Sequence, residues 1–124
     1  MKKVTVAFFC ALFVGIVAML AWAGDDKKDE GATIKGEVVD MSCYMGGGAK
    51  GANHAGCATK CLKSGSPMGI LTSDDKVYLV INHGDEDVVK KMQDMAAKQV
   101  TVTGKCVMRS GANGINVKTV EEAG

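Results

Sequence analysis

The chain has 124 residues, 47% hydrophobic and 5% aromatic, with 15 basic against 14 acidic side chains and a net charge of +1. So balanced a charge provides no basic field to hold a phosphate backbone, which argues against nucleic-acid binding. The length suits one small domain with a modest core.

Lys2 and Lys3 precede an apolar run over residues 4–20, and Ala21-Trp22-Ala23 then matches the small-x-small pattern read by signal peptidase. Residues 1–23 are therefore expected to be a cleaved signal peptide. A retained anchor is the alternative, because the run approaches spanning length. Cys10 follows Phe8 and Phe9 rather than the small residues of a lipid-attachment site, and is expected to leave with the signal. Losing Lys2 and Lys3 leaves 13 basic against 14 acidic residues, a net charge of −1. The mature protein is expected in the periplasm or secreted, with no membrane contact after cleavage. In that oxidising setting the four remaining cysteines, Cys43, Cys57, Cys61 and Cys106, allow two disulfides.

Residues 24–32 are dominated by charge and glycine and read as a flexible tether. A strand is expected from Ile34, where Ile34, Gly36 and Val38 alternate with Lys35 and Glu37. Val38-Val39 breaks the alternation and predicts a bulge, after which Val39, Met41 and Cys43 share a face. The next segment, residues 46–56, has five glycines in eleven positions but lacks the Gly-Lys-Ser/Thr ending of a phosphate loop, so it reads as a flexible connection.

Residues 54–64 predict a short helix. Asn53 is its expected N-cap, Lys60 and Lys63 lie in its last turn, and Gly65 and Pro67 stop it. On such a helix His54, Cys57 and Cys61 fall at i, i+3 and i+7 within an arc of about 60°. Ala55, Ala58 and Leu62 form the neighbouring stripe that would pack it on a core.

Two strands over residues 68–72 and 77–81 flank a turn at 73–76, which predicts a hairpin. His83 follows in a turn. Residues 85–98 predict an amphipathic helix with Asp85, Glu86 and Asp87 at its positive end and Val88, Val89, Met92, Met95 and Ala96 on the apolar face. At that spacing Met92 and Met95 read as core rather than as copper ligands. A strand over 100–108, a loop at 110–114, a strand over 115–120 and a fraying tail at 121–124 complete the chain. Cys106 is in phase with Val100 and Val102, and its default is a buried thiol.

These elements predict a mainly β fold: a five-stranded OB-fold-like barrel over residues 33–121, with a helix between strands three and four. The short Cys/His helix is inserted between strands one and two. Three short motifs, Gly36-Glu37-Val38-Val39-Asp40, Asp85-Glu86-Asp87 and Val100-Thr101-Val102-Thr103-Gly104-Lys105, resemble the small exported bacterial OB-fold proteins of the BOF type. The resemblance covers roughly residues 33–120. It implies a secreted or periplasmic protein that binds small ligands or proteins. The Cys/His insertion departs from the ordinary pattern of that family.

Three thiolates and an imidazole suit zinc, and the same soft set suits Cu(I). The expected metal ligands are Cys43, His54, Cys57 and Cys61, with Met41 and Met45 as additional candidates. Two alternatives stay open. One is a thiol-disulfide redox protein working through Cys57 and Cys61 or Cys43. The other is an interaction module without metal, binding a protein partner and stapled by disulfides from Cys43 to Cys57 or Cys61, with Cys106 a further candidate. The Cys-x-x-Cys-His haem signature is absent, and no hydrolase triad, paired-carboxylate cleft or nucleotide fingerprint stands out.

Overall fold

The computed structural model describes residues 30–124. The expected signal peptide, its cleavage site and most of the tether lie outside these residues. Five strands close into a barrel: β1 (Glu30–Asp40), β2 (Met68–Leu71), β3 (Val77–Val80), β4 (Gln99–Arg109) and β5 (Ala112–Glu122). Around the barrel the order is β1-β2-β3-β5-β4, with every neighbour antiparallel except the parallel pair β3 and β5. This is the mixed OB-fold-like barrel the strand pattern predicts. Two helices, α1 (Met41–Gly47) and α2 (Ala55–Lys63), lie between β1 and β2, and α3 (Glu86–Gln93) lies between β3 and β4.

Closure depends on β1 serving two neighbours. It pairs with β4 from Glu30 to Glu37 and with β2 from Glu37 to Asp40. A strand that changes partner must coil sharply. At the hand-over stands Gly36, where a Cβ would lie 2.5 Å from the Leu71 carbonyl oxygen and 2.8 Å from Ile70 Cγ2. Glycine there gives the neighbouring strand room to approach.

The bulge expected at Val38-Val39 is not present. The register runs unbroken from Glu37 to Asp40, and the irregularity in β1 lies instead between Glu30 and Ala32, around Gly31 (φ +114°). The two valines are adjacent because both faces of this end of β1 are covered. Val38 enters the barrel core, whereas Glu37, on the opposite face, accepts a hydrogen bond from the Gly51 N–H of the inserted segment.

The core joins Ile34, Val38, Ile70, Val100, Val102, Ile115, Val117 and Val120 of the strands to Met92 of α3 and to Ala58 and Leu62 of α2. The apolar stripes read from the sequence therefore face inward as expected. Helix α3 ends earlier than predicted. Asp85 caps its start by accepting from the Val88 N–H, but the chain leaves the helix after Gln93, and the Ala97 N–H donates to the Val38 carbonyl at 2.8 Å. Backbone pairing with β1 takes over from the helical ladder. The tail also differs: β5 runs to Glu122, and the Ala123 N–H donates to the Gln99 carbonyl at 2.8 Å.

The β3–β5 seam is short, with Leu79 opposite Gly114 and Val80 opposite Ile115. Asn82 extends it with its side chain. Its Nδ2 donates to the Val117 carbonyl at 2.7 Å, and its Oδ1 accepts from the Val117 N–H at 2.8 Å. The amide thus mimics one further rung of the ladder: Asn82 itself is half-buried, and the Val117 whose backbone it satisfies is 1% exposed. Asn82→Ala is expected to lower stability by about 2 kcal/mol, because two buried backbone groups lose their partners. Urea denaturation monitored by circular dichroism measures this, and an unchanged midpoint would show the rung to be dispensable.

Candidate metal centre

Asp40 ends β1 and begins α1. Its Oδ1 accepts from the Ser42 N–H at 3.1 Å and its Oδ2 from the Cys43 N–H at 3.4 Å. These are the helix-end donors that an N-cap aspartate satisfies. Cys43 accordingly sits in the first turn of a helix, not at the end of a strand as the alternation suggested. Gly48, left-handed at φ +70°, closes α1, and its N–H donates to the Tyr44 carbonyl at 2.8 Å.

The chain then passes through a 3-10 turn, Ala52–His54, into α2. Asn53 lies within that turn and is not the cap. His54 occupies the N-cap position without a capping side-chain hydrogen bond. Helix α2 ends in a Schellman arrangement: Gly65 is left-handed (φ +98°), the Gly65 N–H donates to the Leu62 carbonyl at 3.1 Å, and the Ser66 N–H to the Cys61 carbonyl at 3.0 Å. The returning chain is fastened to the start of α1. The Met41 N–H donates to the Pro67 carbonyl at 2.9 Å, and the Ser66 hydroxyl donates to Asp40 Oδ1. The last turn of α2 is thereby held beside the first turn of α1.

Two groups of donor atoms result. The ligand atoms of Cys43, His54 and Cys57 all lie within 4.8 Å of one another, as do those of Asp40, Cys43 and Cys61. Cys43 belongs to both. Sulfurs sharing a tetrahedral zinc ion, each bonded at about 2.3 Å, stand about 3.8 Å apart, so either group needs only a small contraction to grip an ion. Cys57 is exposed and opens the cluster to solvent, while Cys43, His54 and Cys61 are half-buried and Asp40 is buried.

One atom is unsatisfied. His54 Nε2 is buried and has no hydrogen-bond partner among the described residues. Leaving such a polar atom unpaired costs about 1–3 kcal/mol, so its persistence beside two thiols calls for a ligand.

The electrostatics follow from crowding. Burial pushes the Asp40 carboxyl up, but hydrogen bonds from the Cys43 and Ser66 side chains and from the Ser42 and Cys43 backbone outweigh it and hold the group below the usual range. The hydrogen bond to Asp40, together with burial and the charges of Asp40, Cys61 and Cys57, pushes the Cys43 thiol up to about 12. Burial and the neighbouring Cys57 also raise Cys61. The two thiols thus resist adding negative charge beside the ionised Asp40, and a cation is what relieves that repulsion.

The other predicted residues stand apart from the cluster. Met41 and Met45 are each two positions from Cys43 on α1, about 200° around the helix, and so point away from it. The Met41 sulfur packs over Gly69, Met45 is 72% exposed, and neither enters a donor group. Cys106 lies on β4 opposite Ile115 and packs, half-buried, against the barrel core. No disulfide joins Cys43, Cys57 and Cys61. Asp40 was missed from the sequence. Its signal was an N-cap residue followed by a short run ending in glycines, a helix-bounding pattern hidden by the strand that precedes it.

No family model, curated protein or solved structure matches this chain.

Proposed function

We propose that this chain is a small exported metal-binding protein in which Cys43, Cys57 and Cys61 supply thiolates and His54 an imidazole to zinc or Cu(I). The observation that carries this reading is the buried, unpartnered His54 Nε2 on a residue grouped with two cysteine sulfurs. Imidazole and thiolate together are the donor set these ions favour. Export rests on the N-terminal basic, apolar and small-x-small pattern. Kinship with the exported OB-fold proteins rests on the three short motifs and on the barrel they share.

The redox alternative draws less support. A catalytic thiol is activated by a lowered pKa, whereas Cys43 and Cys61 are both pushed upward. The same crowding suits ligation, in which the ion displaces the thiol protons to solvent and replaces like-charge repulsion with attraction.

Metal analysis and a free-thiol count on full-length protein, purified anaerobically without chelators from the exported fraction, test the proposal. The expected result is bound zinc or copper with Cys43, Cys57 and Cys61 shielded from alkylation. Stripping the metal is expected to expose the thiols and lower Tm by roughly 10–20 °C, as loss of a ligand present at about 100 times its Kd implies. Metal-free protein with these cysteines in disulfides would overturn the reading.

A further inference from the structure

The two donor groups share one sulfur, and that sharing has a consequence beyond the binding of a single ion. Resting on the metal-binding reading above, we infer that the cluster holds two zinc ions bridged by the Cys43 thiolate. His54 and Cys57 complete one position, and Asp40 and Cys61 the other. Geometry supports the division. All ligand atoms within each group lie within 4.8 Å of one another, yet Asp40 and Cys61 enter a group with Cys43 and without His54 or Cys57. Thiolate sulfur has lone pairs enough to bind two ions, so Cys43 can stand at the centre of both positions.

Charge points the same way. Three thiolates and the Asp40 carboxylate carry four negative charges when ligated, and the imidazole is neutral. Two divalent ions balance them, whereas one divalent ion, or two Cu(I), leaves two negative charges concentrated at a half-buried site. A carboxylate oxygen beside sulfur also suits zinc better than Cu(I). Each ion would have three protein donors, leaving a fourth position for water.

Asp40 is already oriented for this role. Its Oδ1 accepts from the Ser42 N–H and from the Ser66 hydroxyl, and the Ser42 and Ser66 hydroxyl oxygens are 3.0 Å apart. Such outer contacts fix a ligating carboxylate. The Cys43 sulfur and an oxygen of this carboxylate lie within 4.8 Å of each other. When the Cys43 S–H bond breaks and an S–Zn bond forms, the proton passes to solvent.

Zinc stoichiometry decides the matter. Reduced full-length protein, loaded with zinc and freed of excess, is examined by native mass spectrometry and elemental analysis. Loading with ¹¹³Cd in place of zinc gives an NMR spectrum of the same positions. Wild-type protein is expected to hold two ions and to show two ¹¹³Cd resonances. Asp40→Asn and Cys61→Ser are each expected to hold one and to lose the same resonance. Asparagine caps a helix as well as aspartate does, so α1 is retained in the first variant, and the second leaves the Asp40 cap untouched. One ion in the wild type, or two in either variant, would overturn the bridged pair while leaving a single-ion site in place. No bound ion in the wild type would overturn both this inference and the metal-binding reading.

Discussion

Cys43→Ser is expected to weaken metal binding by roughly a hundredfold or more, and to do so at every position in the cluster. The size follows from sharing the zinc-binding free energy of about 10–16 kcal/mol among three or four ligands, which gives each about 3–4 kcal/mol. Cys43 is singled out by its membership of both donor groups, whereas His54 and Cys57 enter one and Cys61 the other. Serine preserves the helix, because the Asp40 cap is made to the residue 43 backbone N–H and not to its side chain. Competition against a chromogenic chelator, with Cys57→Ser and Cys61→Ser in parallel, measures the effect. A Cys43→Ser protein that binds as tightly as the Cys61→Ser protein would remove Cys43 from the centre of the site.

The barrel has its own critical position. Gly104 on β4 is expected not to tolerate alanine, with a loss of about 3 kcal/mol. The residue stands where the β4–β5 register slips: Thr103 faces Thr119 but Gly104 faces Val117, which leaves Lys118 as the extra residue of a bulge. A Cβ at Gly104 would lie 2.9 Å from the Val117 Cα and closer still to the Asn116 carbonyl oxygen. Both obstacles are backbone, so no side chain can rotate aside. For a domain of this size the loss lowers Tm by roughly 10–20 °C. Gly46→Ala is the control: a Cβ there meets nothing within 4 Å, and alanine favours the helix. Thermal unfolding followed by circular dichroism separates the two, and equal melting temperatures would show that β4 and β5 can part without cost.

The barrel was legible because its strands carry their pattern locally. Val100 and Val102 alternate with exposed or half-exposed threonines, and the acids at Asp85, Glu86 and Asp87 mark the start of α3. The His54, Cys57 and Cys61 spacing was legible for the same reason, since helical periodicity needs no knowledge of the rest of the fold. Two things were not. Buried residues from Gly36 to Asp40 looked like a bulged strand, because the barrel core covers one face and the inserted segment the other, which erases the alternation that sequence reading relies on. Asp40 was hidden because its role depends on Cys61 and Ser66, more than twenty residues away, returning to it. Long-range convergence of that kind leaves no periodic trace.

The inserted segment leaves and rejoins the sheet at one rung, for Asp40 and Met68 are register partners across β1 and β2. However the helices between them are rearranged, lengthened or clamped by an ion, the stagger that sets the barrel's shear is already fixed at that rung. The barrel can therefore serve as an invariant frame, while the excursion is tied to it through the plug formed by Ala58 and Leu62. Selection could retune the excursion's chemistry without redrawing the strand alignment, provided those two side chains stay seated.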